Sequence, residues 1–459
     1  MTEESQLIGS HPGEKDQSGL RSSLQGLLAM ARAYIADKGN HGIFGVMLLK
    51  VASAVASILF LSVSARALGS YEFGRFAVWF SLASIASVVA VFGQELLIVR
   101  TWNEYVASRR WALAKGALLS GFVITIGMSL LVGLALFVFQ DEQTGDIVFA
   151  AGLGIFLVIN TLQQHTSYAA RAIVNIFVAS GHREITWRLL VVVVLIGMMI
   201  GAVKLTAGEL FLISAACIGV AFVIQCVAIW RAVPGAVRAA KAEYAREEWI
   251  SRSWKMWLST IMESLNQYIE VLIVGYLIDP VAAGAYFFAS RLANSFALAA
   301  DSVGTFGTRH VPRLYYAQKH EELAQIMYRM AQFTAIIVGA GIVGVLLFGK
   351  LALWLCGPEY VSQFPILLVL SIGTAAAAAA GPAPAILMLT GHEGRYLTII
   401  ASSVALRCLG FYLLIPHFGT MGAAISTAVT FVGITLFINS QCRKLTGLDP
   451  SVAQLMKKV

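Results

Sequence analysis

The sequence predicts an all-α polytopic membrane protein with about twelve transmembrane helices in two six-helix lobes. Apolar residues make up 58% of the chain and charged residues 13%, with a mean hydropathy of +0.76, whereas soluble domains carry about 25% charged residues. Apolar segments close to the ~20 residues that cross a hydrocarbon core recur along the chain. One long polar interval, Arg231–Lys255, separates six such segments from six others.

Residues 1–42 are predicted to form a cytoplasmic arm that contains an interfacial helix. Apolar residues from Leu20 to Ile35 recur on one helical face, while Arg21 and Arg32 fall elsewhere. This pattern is typical of helices that lie in the membrane surface. A merely solvated arm is the alternative interpretation.

The predicted spans follow this arm with short connections between them. Such closely spaced apolar segments predict a helical bundle, because unpaired backbone groups cannot face lipid and no segment alternates like a barrel strand. The candidate spans are 43–65, 76–98, 112–139, 147–169, 187–207, 209–230, 257–278, 281–306, 325–349, 363–389, 395–416 and 419–441.

The spans group into two lobes joined by a basic linker. The first lobe covers 43–235, the cytoplasmic linker 236–256 and the second lobe 257–441, and residues 442–459 form a cytoplasmic tail. An internal repeat supports this plan. The triplets at 180–182 and 390–392 (Ser/Thr-Gly-His) lie 210 positions apart, and Gly74 matches Gly284 at the same offset. An even number of spans in each lobe makes the repeats parallel.

The distribution of cations predicts the orientation. With both termini in the cytoplasm, the cytoplasmic connections hold 25 of the Lys and Arg residues. The opposite side holds four, which are Arg66, Arg75, Lys204 and Lys350. This asymmetry is the positive-inside pattern, and one missed or spurious span would invert every later connection.

Charged side chains within the spans are the first candidates for function, because such groups are costly in lipid and usually face a bundle interior or a wet cavity. Arg291, in the eighth span, is a candidate for binding an anionic head group. An ion pair with Glu263 or Glu270 of the seventh span is the alternative. Arg407, in the eleventh span, is either a second substrate-binding cation or a partner between helices.

Carboxylates and amides of the second lobe form a further set. Glu270 and Glu263 are candidates for ion coupling or for ion pairing, and Asp301, which closes the eighth span, joins them. Asn266 and Gln267 lie between the two glutamates on nearly the same helical face. Asn294 follows Arg291 by three positions and completes a predicted polar pathway.

The first lobe carries a polar seam in its fourth span, composed of Asn160, Gln163, Gln164 and His165. A seam of this length is not expected to face lipid, so it either lines an aqueous pathway or hydrogen-bonds neighbouring helices. Arg66 either snorkels to the interface or guards the outer mouth of a cavity. Glu95 is expected to pair with Arg100 near the interface.

Several classes of site are not predicted. The five cysteines form no CxxC pair and are interpreted as small apolar residues, so no metal site is expected. No nucleotide-binding or hydrolase motif occurs in a usable context, and no cofactor or catalytic residue is predicted. The net charge of +8 comes from scattered loop cations, which topology explains better than nucleic-acid binding.

At several points the sequence resembles the Wzx-type polysaccharide flippases of the MOP superfamily. The resemblance rests on five stretches, in order over the chain: 66–85 (RALGSYEFGRFAVWFSLASI), 93–100 (GQELLIVR), 347–373 (LFGKLALWLCGPEYVSQFPILLVLSIG), 389–397 (LTGHEGRYL) and 414–429 (LIPHFGTMGAAISTAV). It implies a MATE-like fold whose two lobes enclose a V-shaped cavity lined by cations. By position, Arg291 matches the eighth-span cavity arginine of such flippases, and Arg66 lies near their first-span arginines.

The function implied by this resemblance is translocation of a polyprenyl-pyrophosphate-linked oligosaccharide across the bacterial inner membrane by alternating access. The expected partners are this glycan substrate, membrane lipid, and a glycan polymerase with its export machinery. One alternative is a cation-coupled multidrug extruder of the same superfamily, although the first lobe has few buried acids. The other is a membrane glycan polymerase or ligase, which the short outer loops disfavour.

Overall fold

A computed structural model describes residues 41–294, 320–389 and 393–456, and these residues form helices and no strand. Asp301, the 390–392 turn and the predicted interfacial helix lie outside the described residues. Two compact units divide the chain at Leu49 and Lys50. Residues 41–49 of the first unit are helical, and the second unit, Lys50–Val459, carries all the features discussed below.

Fourteen α-helices make up most of the described chain. In chain order they are α1 His41–Val91, α2 Gln94–Ala107, α3 Trp111–Thr144, α4 Ile147–Ile173, α5 Ile176–Ser180, α6 Trp187–Ile200, α7 Ala207–Ala232, α8 Gly235–Ala239, α9 Arg246–Leu277, α10 Pro280–Ala293, α11 His320–Cys356, α12 Phe364–Ala379, α13 Ala383–Leu389 and α14 Glu393–Thr446. A π-helical turn at Gly181–Thr186 and two 3₁₀ turns, Pro358–Gln363 and Val452–Met456, complete the set.

The two longest helices, α1 and α14, are each a pair of spans. At 1.5 Å per residue, a straight helix of 51 residues would be more than twice as long as the hydrocarbon core is thick. Both helices fold back at a glycine with non-helical dihedrals, Gly69 in α1 and Gly419 in α14. The rings of Phe60 and Phe76, on the two arms of α1, accordingly lie 6.1 Å apart.

Seven helices of the described chain are long and apolar enough to cross a membrane. Two of them are the folded pairs, and the remaining predicted spans correspond to the shorter or more polar α6, α9 and α10. The predicted all-α plan of about twelve spans is therefore confirmed. The helix ends differ from prediction, since α9 extends back into the linker as far as Arg246 and α1 breaks before Gln94.

The lobes pack together at one end of the bundle, which we call the Arg66 end and define by Arg66, Gly74, Pro280 and Tyr360. One apolar core there contains residues of both lobes, such as Phe76 and Phe211 of the first lobe with Phe287 of the second. At the opposite end, called the linker end, the described residues form two separate cores. One contains first-lobe residues with Val237 of α8 and Trp249 of α9, and the other contains residues of the second lobe with Cys442 of the tail.

Helix α9 extends toward the linker end in contact with the first lobe. The indole of Trp249 donates a hydrogen bond to the Tyr105 hydroxyl at 2.9 Å, and Trp257 donates to the Val89 carbonyl at 3.1 Å. Arg252 donates to the Glu104 carboxylate at 2.8 Å, and this bond raises the pKa of Arg252 above its ordinary value. One core that contains residues of both lobes, and separate cores elsewhere, agree with the predicted two-lobed arrangement.

Candidate functional site

Three arginines from the two lobes interact electrostatically with the same tyrosine, Tyr268 of α9. Arg183 lies in the π-helical turn and Arg188 begins α6, both in the first lobe, whereas Arg291 lies in α10 of the second. Their charges interact with one another and with the hydroxyl of Tyr268 on α9. We call Arg183, Arg188 and Arg291 the arginine cluster.

Arg291 is held by aromatic rings rather than by a carboxylate. Its guanidinium carbon lies 4.5 Å from the ring centre of Tyr268 and 5.1 Å from that of Phe287, both within cation–π distance. Within the described chain neither Glu263 nor Glu270 forms an ion pair with it, and the buried Nη2 has no hydrogen-bond partner. A buried donor without an acceptor is costly, so this nitrogen is an open hydrogen-bonding position of Arg291.

The π-helical turn places Arg183 and Arg188 in the cluster. Residues five apart point in different directions on an α-helix, whereas the i→i+5 turn of a π-helix brings them toward one side; such turns are frequent at functional sites. Arg183 also stacks over Tyr168 at 5.5 Å, and Arg188 stacks over Trp187 at 4.9 Å. The sequence predicts both arginines to be cations of a cytoplasmic connection. The signal that could have found them is the polar stretch after Gly181, in which two arginines lie five positions apart.

Arg407 lies inside the second lobe and is fully buried. Its Nη2 donates to the backbone carbonyl and the side-chain oxygen of Asn266, both at 2.9 Å, and its Nη1 lies 3.7 Å from Glu270. Glu270 also accepts hydrogen bonds from Tyr286 at 2.7 Å and Thr427 at 3.1 Å. These contacts favour the interhelix-partner interpretation of Arg407, and they assign the ion pair of Glu270 to Arg407 rather than to Arg291.

The other predicted residues of the second lobe lie outside this network. Glu263 and Gln267 are on the exposed face of α9, and the electrostatic neighbour of Glu263 is Tyr396. Asn294 is half-buried at the end of α10, where its backbone N–H donates to the Ser290 carbonyl. Their predicted roles stay predictions.

The polar seam of the fourth span faces the interior of the first lobe. Asn160 donates to Ser87 at 3.1 Å, whereas the buried Gln163 has no hydrogen-bond partner. His165 is also without a partner, and its ring meets that of Phe122 edge-on at 4.8 Å. Gln164 lies beside Glu95. Glu95 does not pair with Arg100, which is exposed, and the opposite charge that acts on Glu95 is Arg183.

Arg66 lies away from the arginine cluster and joins the lobes at the Arg66 end. It donates to the carbonyls of Leu355 at 2.6 Å and Trp354 at 3.0 Å, the last turn of α11, and stacks over the Trp354 ring at 5.2 Å. The carbonyl end of a helix carries partial negative charge, which attracts a cation. In the described residues, no group of three His, Cys, Asp or Glu side chains could hold a metal ion.

Comparison with known proteins agrees with this architecture. A family model described as polysaccharide biosynthesis protein matches residues 41–295, more than half of the chain. The search of curated proteins found no match to this chain. Among solved structures, the inward-facing conformation of a multidrug resistance MATE family transporter of the MOP superfamily is 13% identical, with a TM-score of 0.67 over 90% of this chain and 100% of that one.

Two further structures are similar at the level of the fold. The lipid II flippase MurJ in an inward closed conformation is 13% identical, with a TM-score of 0.61 over 86% of this chain and 87% of MurJ. An outward-facing conformation of a MATE family transporter, also 13% identical, gives a TM-score of 0.57 over 90% of this chain and 97% of that one. The predicted resemblance is confirmed: this chain belongs to the polysaccharide biosynthesis protein family, with the fold of the MOP superfamily.

Proposed function

We propose that this protein is a flippase that moves a polyprenyl-pyrophosphate-linked oligosaccharide across the bacterial inner membrane by alternating access of its two lobes. The observation that carries the proposal is the arginine cluster. Three guanidinium groups from the two lobes interact with Tyr268, and Arg291 has a buried nitrogen without an acceptor. The membership of the polysaccharide biosynthesis family supports a glycan-linked cargo.

A pyrophosphate fits the chemistry of this cluster. Guanidinium groups bind phosphate oxygens with paired, charge-assisted hydrogen bonds, which a single ammonium group cannot match. Cations offset the cost of bringing a multiply charged head group to the depth of the bilayer. The polyprenyl tail is apolar and can stay in the lipid while the head group enters between the lobes.

The position of the cluster supports alternating access. Arg183 and Arg188 belong to the first lobe and Arg291 to the second, so an anion that contacts all three bridges the lobes and favours the conformation in which they approach. The lobes share a core at the Arg66 end and keep separate cores at the linker end. With the linker end in the cytoplasm, as the positive-inside pattern predicts, this conformation receives its cargo from the inner leaflet.

The same cluster disfavours drug export and glycan polymerisation. A cationic drug would be repelled by three arginines, whatever the similarity of fold to the multidrug transporters. A polymerase or ligase needs groups for acid–base or nucleophilic chemistry beside its substrate, and the cluster supplies only guanidinium groups and a phenol. A glycan polymerase and export machinery are accordingly proposed as partners that use the translocated product.

Reconstitution into proteoliposomes tests the proposal. We expect the wild type to transport an undecaprenyl-pyrophosphate-linked oligosaccharide, and Arg291→Ala and Arg188→Ala to lose most of this activity. Arg291→Lys should keep partial activity, because lysine retains the positive charge but cannot form the paired hydrogen bonds of a guanidinium group. Arg100→Ala, an exposed change on α2, is the matched control. Wild-type transport by Arg291→Ala would remove Arg291 from the mechanism, and efflux of ethidium by the wild type would favour the drug extruder. Imposed proton and sodium gradients in the same vesicles would identify the energy source.

A further inference from the structure

Glu95 is a buried acid that the architecture does not explain. It lies in the first turn of α2 with no exposed surface, and neither carboxylate oxygen has a hydrogen-bond partner of good geometry. Glu270, the other buried acid of the described spans, differs in each respect, since it accepts hydrogen bonds from two hydroxyl groups and faces Arg407. An ionised carboxylate without partners is costly to bury, so Glu95 requires a nearby positive charge or a proton.

A break in the backbone determines the position of Glu95. Phe92 and Gly93 adopt left-handed dihedrals, with φ of 54° and 70°, and so break the second span immediately before α2. A left-handed φ is unusual for a bulky residue such as Phe and indicates strain. The break turns Glu95 into the first turn of a new helix, where the free backbone N–H groups favour a negative charge.

The groups around Glu95 come from three further elements. Arg183 of the π-helical turn is the opposite charge that acts on it, although it does not donate a hydrogen bond to either carboxylate oxygen. Gln164 of α4 and Thr260 of α9 are the neutral polar side chains beside it. His165, the adjacent titratable residue on α4, instead packs against Phe122 of α3.

Arg183 therefore interacts with two sites. It faces Glu95 on one side, and on the other it belongs to the arginine cluster with Arg188 and Arg291. Burial favours the neutral form of Glu95, and the charge of Arg183 opposes that effect. An anion bound at the cluster draws the charge of Arg183 toward itself and weakens this opposition. A buried carboxylate that loses its counter-charge takes up a proton.

We propose that Glu95 is an internal counter-anion of Arg183 that a pyrophosphate ligand displaces, so that ligand binding is coupled to the uptake of a proton by Glu95. This inference rests on the proposed function, because it takes a pyrophosphate as the ligand of the arginine cluster. The proton comes from water and ends on the carboxyl group. Linkage is reciprocal, so protonation of Glu95 must in turn strengthen ligand binding, and affinity must fall as pH rises.

Calorimetric titration of the purified full-length protein with farnesyl pyrophosphate tests the coupling. Titrations in buffers of different ionisation enthalpy give the number of protons taken up with the ligand. In the wild type, at a pH where free Glu95 is ionised, we expect uptake of about one proton per ligand. Glu95→Gln should take up none, should lose the pH dependence, and should bind about tenfold more tightly than the wild type at high pH.

Four further variants identify which residue takes up the proton. Glu95→Asp should retain proton uptake, and its thermal unfolding reports whether changes at this position leave the protein folded. His165→Gln should also retain uptake, because His165 is not the proton acceptor. Arg183→Ala should lose both the coupling and part of the affinity, and Glu247→Gln, an exposed change on α9, should behave like the wild type.

The outcomes distinguish this inference from the proposed function. Ligand binding with the same proton uptake in Glu95→Gln as in the wild type overturns the coupling and leaves the flippase proposal intact. Loss of uptake in His165→Gln assigns the proton to His165 and also overturns it. Absence of farnesyl pyrophosphate binding by the folded wild type instead contradicts the proposed ligand of the arginine cluster.

Discussion

Gly74 and Gly284 pack backbone against backbone at the Arg66 end: a Cβ atom on Gly284 would lie 2.9 Å from the Cα of Gly74. The two glycines are 210 positions apart, the offset of the predicted internal repeat. Equivalent residues of two related units meet each other only near the axis that relates the units. Their contact therefore supports two related lobes whose axis passes through the closed end of the bundle.

Substitution of Gly74 should open this end. A Cβ on Gly74 would lie 1.9 Å from the Pro280 carbonyl oxygen, a contact that only a backbone shift can relieve. We expect Gly74→Ala to disfavour the closed conformation and to raise the rate at which a membrane-impermeant maleimide labels Cys356, which is 1% exposed. The assay uses a background in which the other four cysteines are replaced by alanine.

Gly127→Ala is the matched control for this experiment, because nothing lies within 4 Å of a Cβ at Gly127. Alanine at a helical position with open space is expected to be neutral or slightly stabilising. Equal labelling of Cys356 in Gly74→Ala and Gly127→Ala would contradict the interpretation that close backbone contact holds the Arg66 end shut.

A disulfide across the same end should trap the closed conformation. The Ser62 hydroxyl of the first lobe lies 3.4 Å from the Cys356 sulfur of the second, and a small adjustment brings a Cys pair at these positions to bonding geometry. We expect mild oxidation of Ser62→Cys to stop transport in proteoliposomes and a reductant to restore it. Ser62→Cys with Cys356→Ala controls for the substitution, and undiminished transport by fully cross-linked protein would rule out opening of this end.

Arg66 should hold the two lobes together at the Arg66 end rather than bind substrate with the arginine cluster. A charge-assisted hydrogen bond contributes about 1.5–3 kcal/mol, and less where the side chain is exposed as Arg66 is. Arg66→Ala should therefore increase the rate of Cys356 labelling several-fold. The labelling rate of Arg66→Lys should lie between those of the wild type and Arg66→Ala, because an ammonium group keeps the attraction to the helix end but cannot form the paired hydrogen bonds of a guanidinium group. Lys204→Ala is the exposed control. Reduced affinity for farnesyl pyrophosphate with unchanged labelling would instead support the predicted substrate role.

The sequence was sufficient for the architecture because its signal is summed over long segments. Twelve apolar stretches and the charge asymmetry follow from the solvent each segment meets, and a few misplaced residues do not change the count. Helix ends were predicted less well. The break at Phe92 and Gly93 depends on strained dihedrals, and the extension of α9 to Arg246 depends on its packing against Tyr105 and Glu104.

Contacts within the candidate site could be predicted only in part. Arg291 was identified because a charge in an apolar span is conspicuous, but its companions Arg183 and Arg188 look like ordinary loop cations until a π-helical turn brings them together. The partner of Glu270 could not be chosen from spacing. Arg291 is 21 positions away and Arg407 is 137 positions away, and only the packing of α9 against α14 selects the second.

The Glu270–Arg407 pair should stabilise the second lobe as a unit. Removal of one member of a buried ion pair leaves the other charge without compensation and costs about 3–5 kcal/mol, whereas removal of both is often close to neutral. We expect Arg407→Met to lower the thermal unfolding midpoint in detergent markedly. Adding Glu270→Gln to it should recover part of the loss, because the uncompensated charge is then gone.

The wild type, Arg407→Met, Glu270→Gln and the double variant form a double-mutant cycle. The coupling energy is the difference between the change in unfolding free energy of the double variant and the sum of the changes in the two single variants. Arg100→Met serves as the control, since an exposed substitution is expected to change stability by less than about 0.5 kcal/mol. Strict additivity would show that Arg407 is held by Asn266 alone and that Glu270 is stabilised by its hydroxyl donors. A stable Arg407→Met protein that no longer binds farnesyl pyrophosphate would instead return Arg407 to the substrate path, against its burial in the lobe interior.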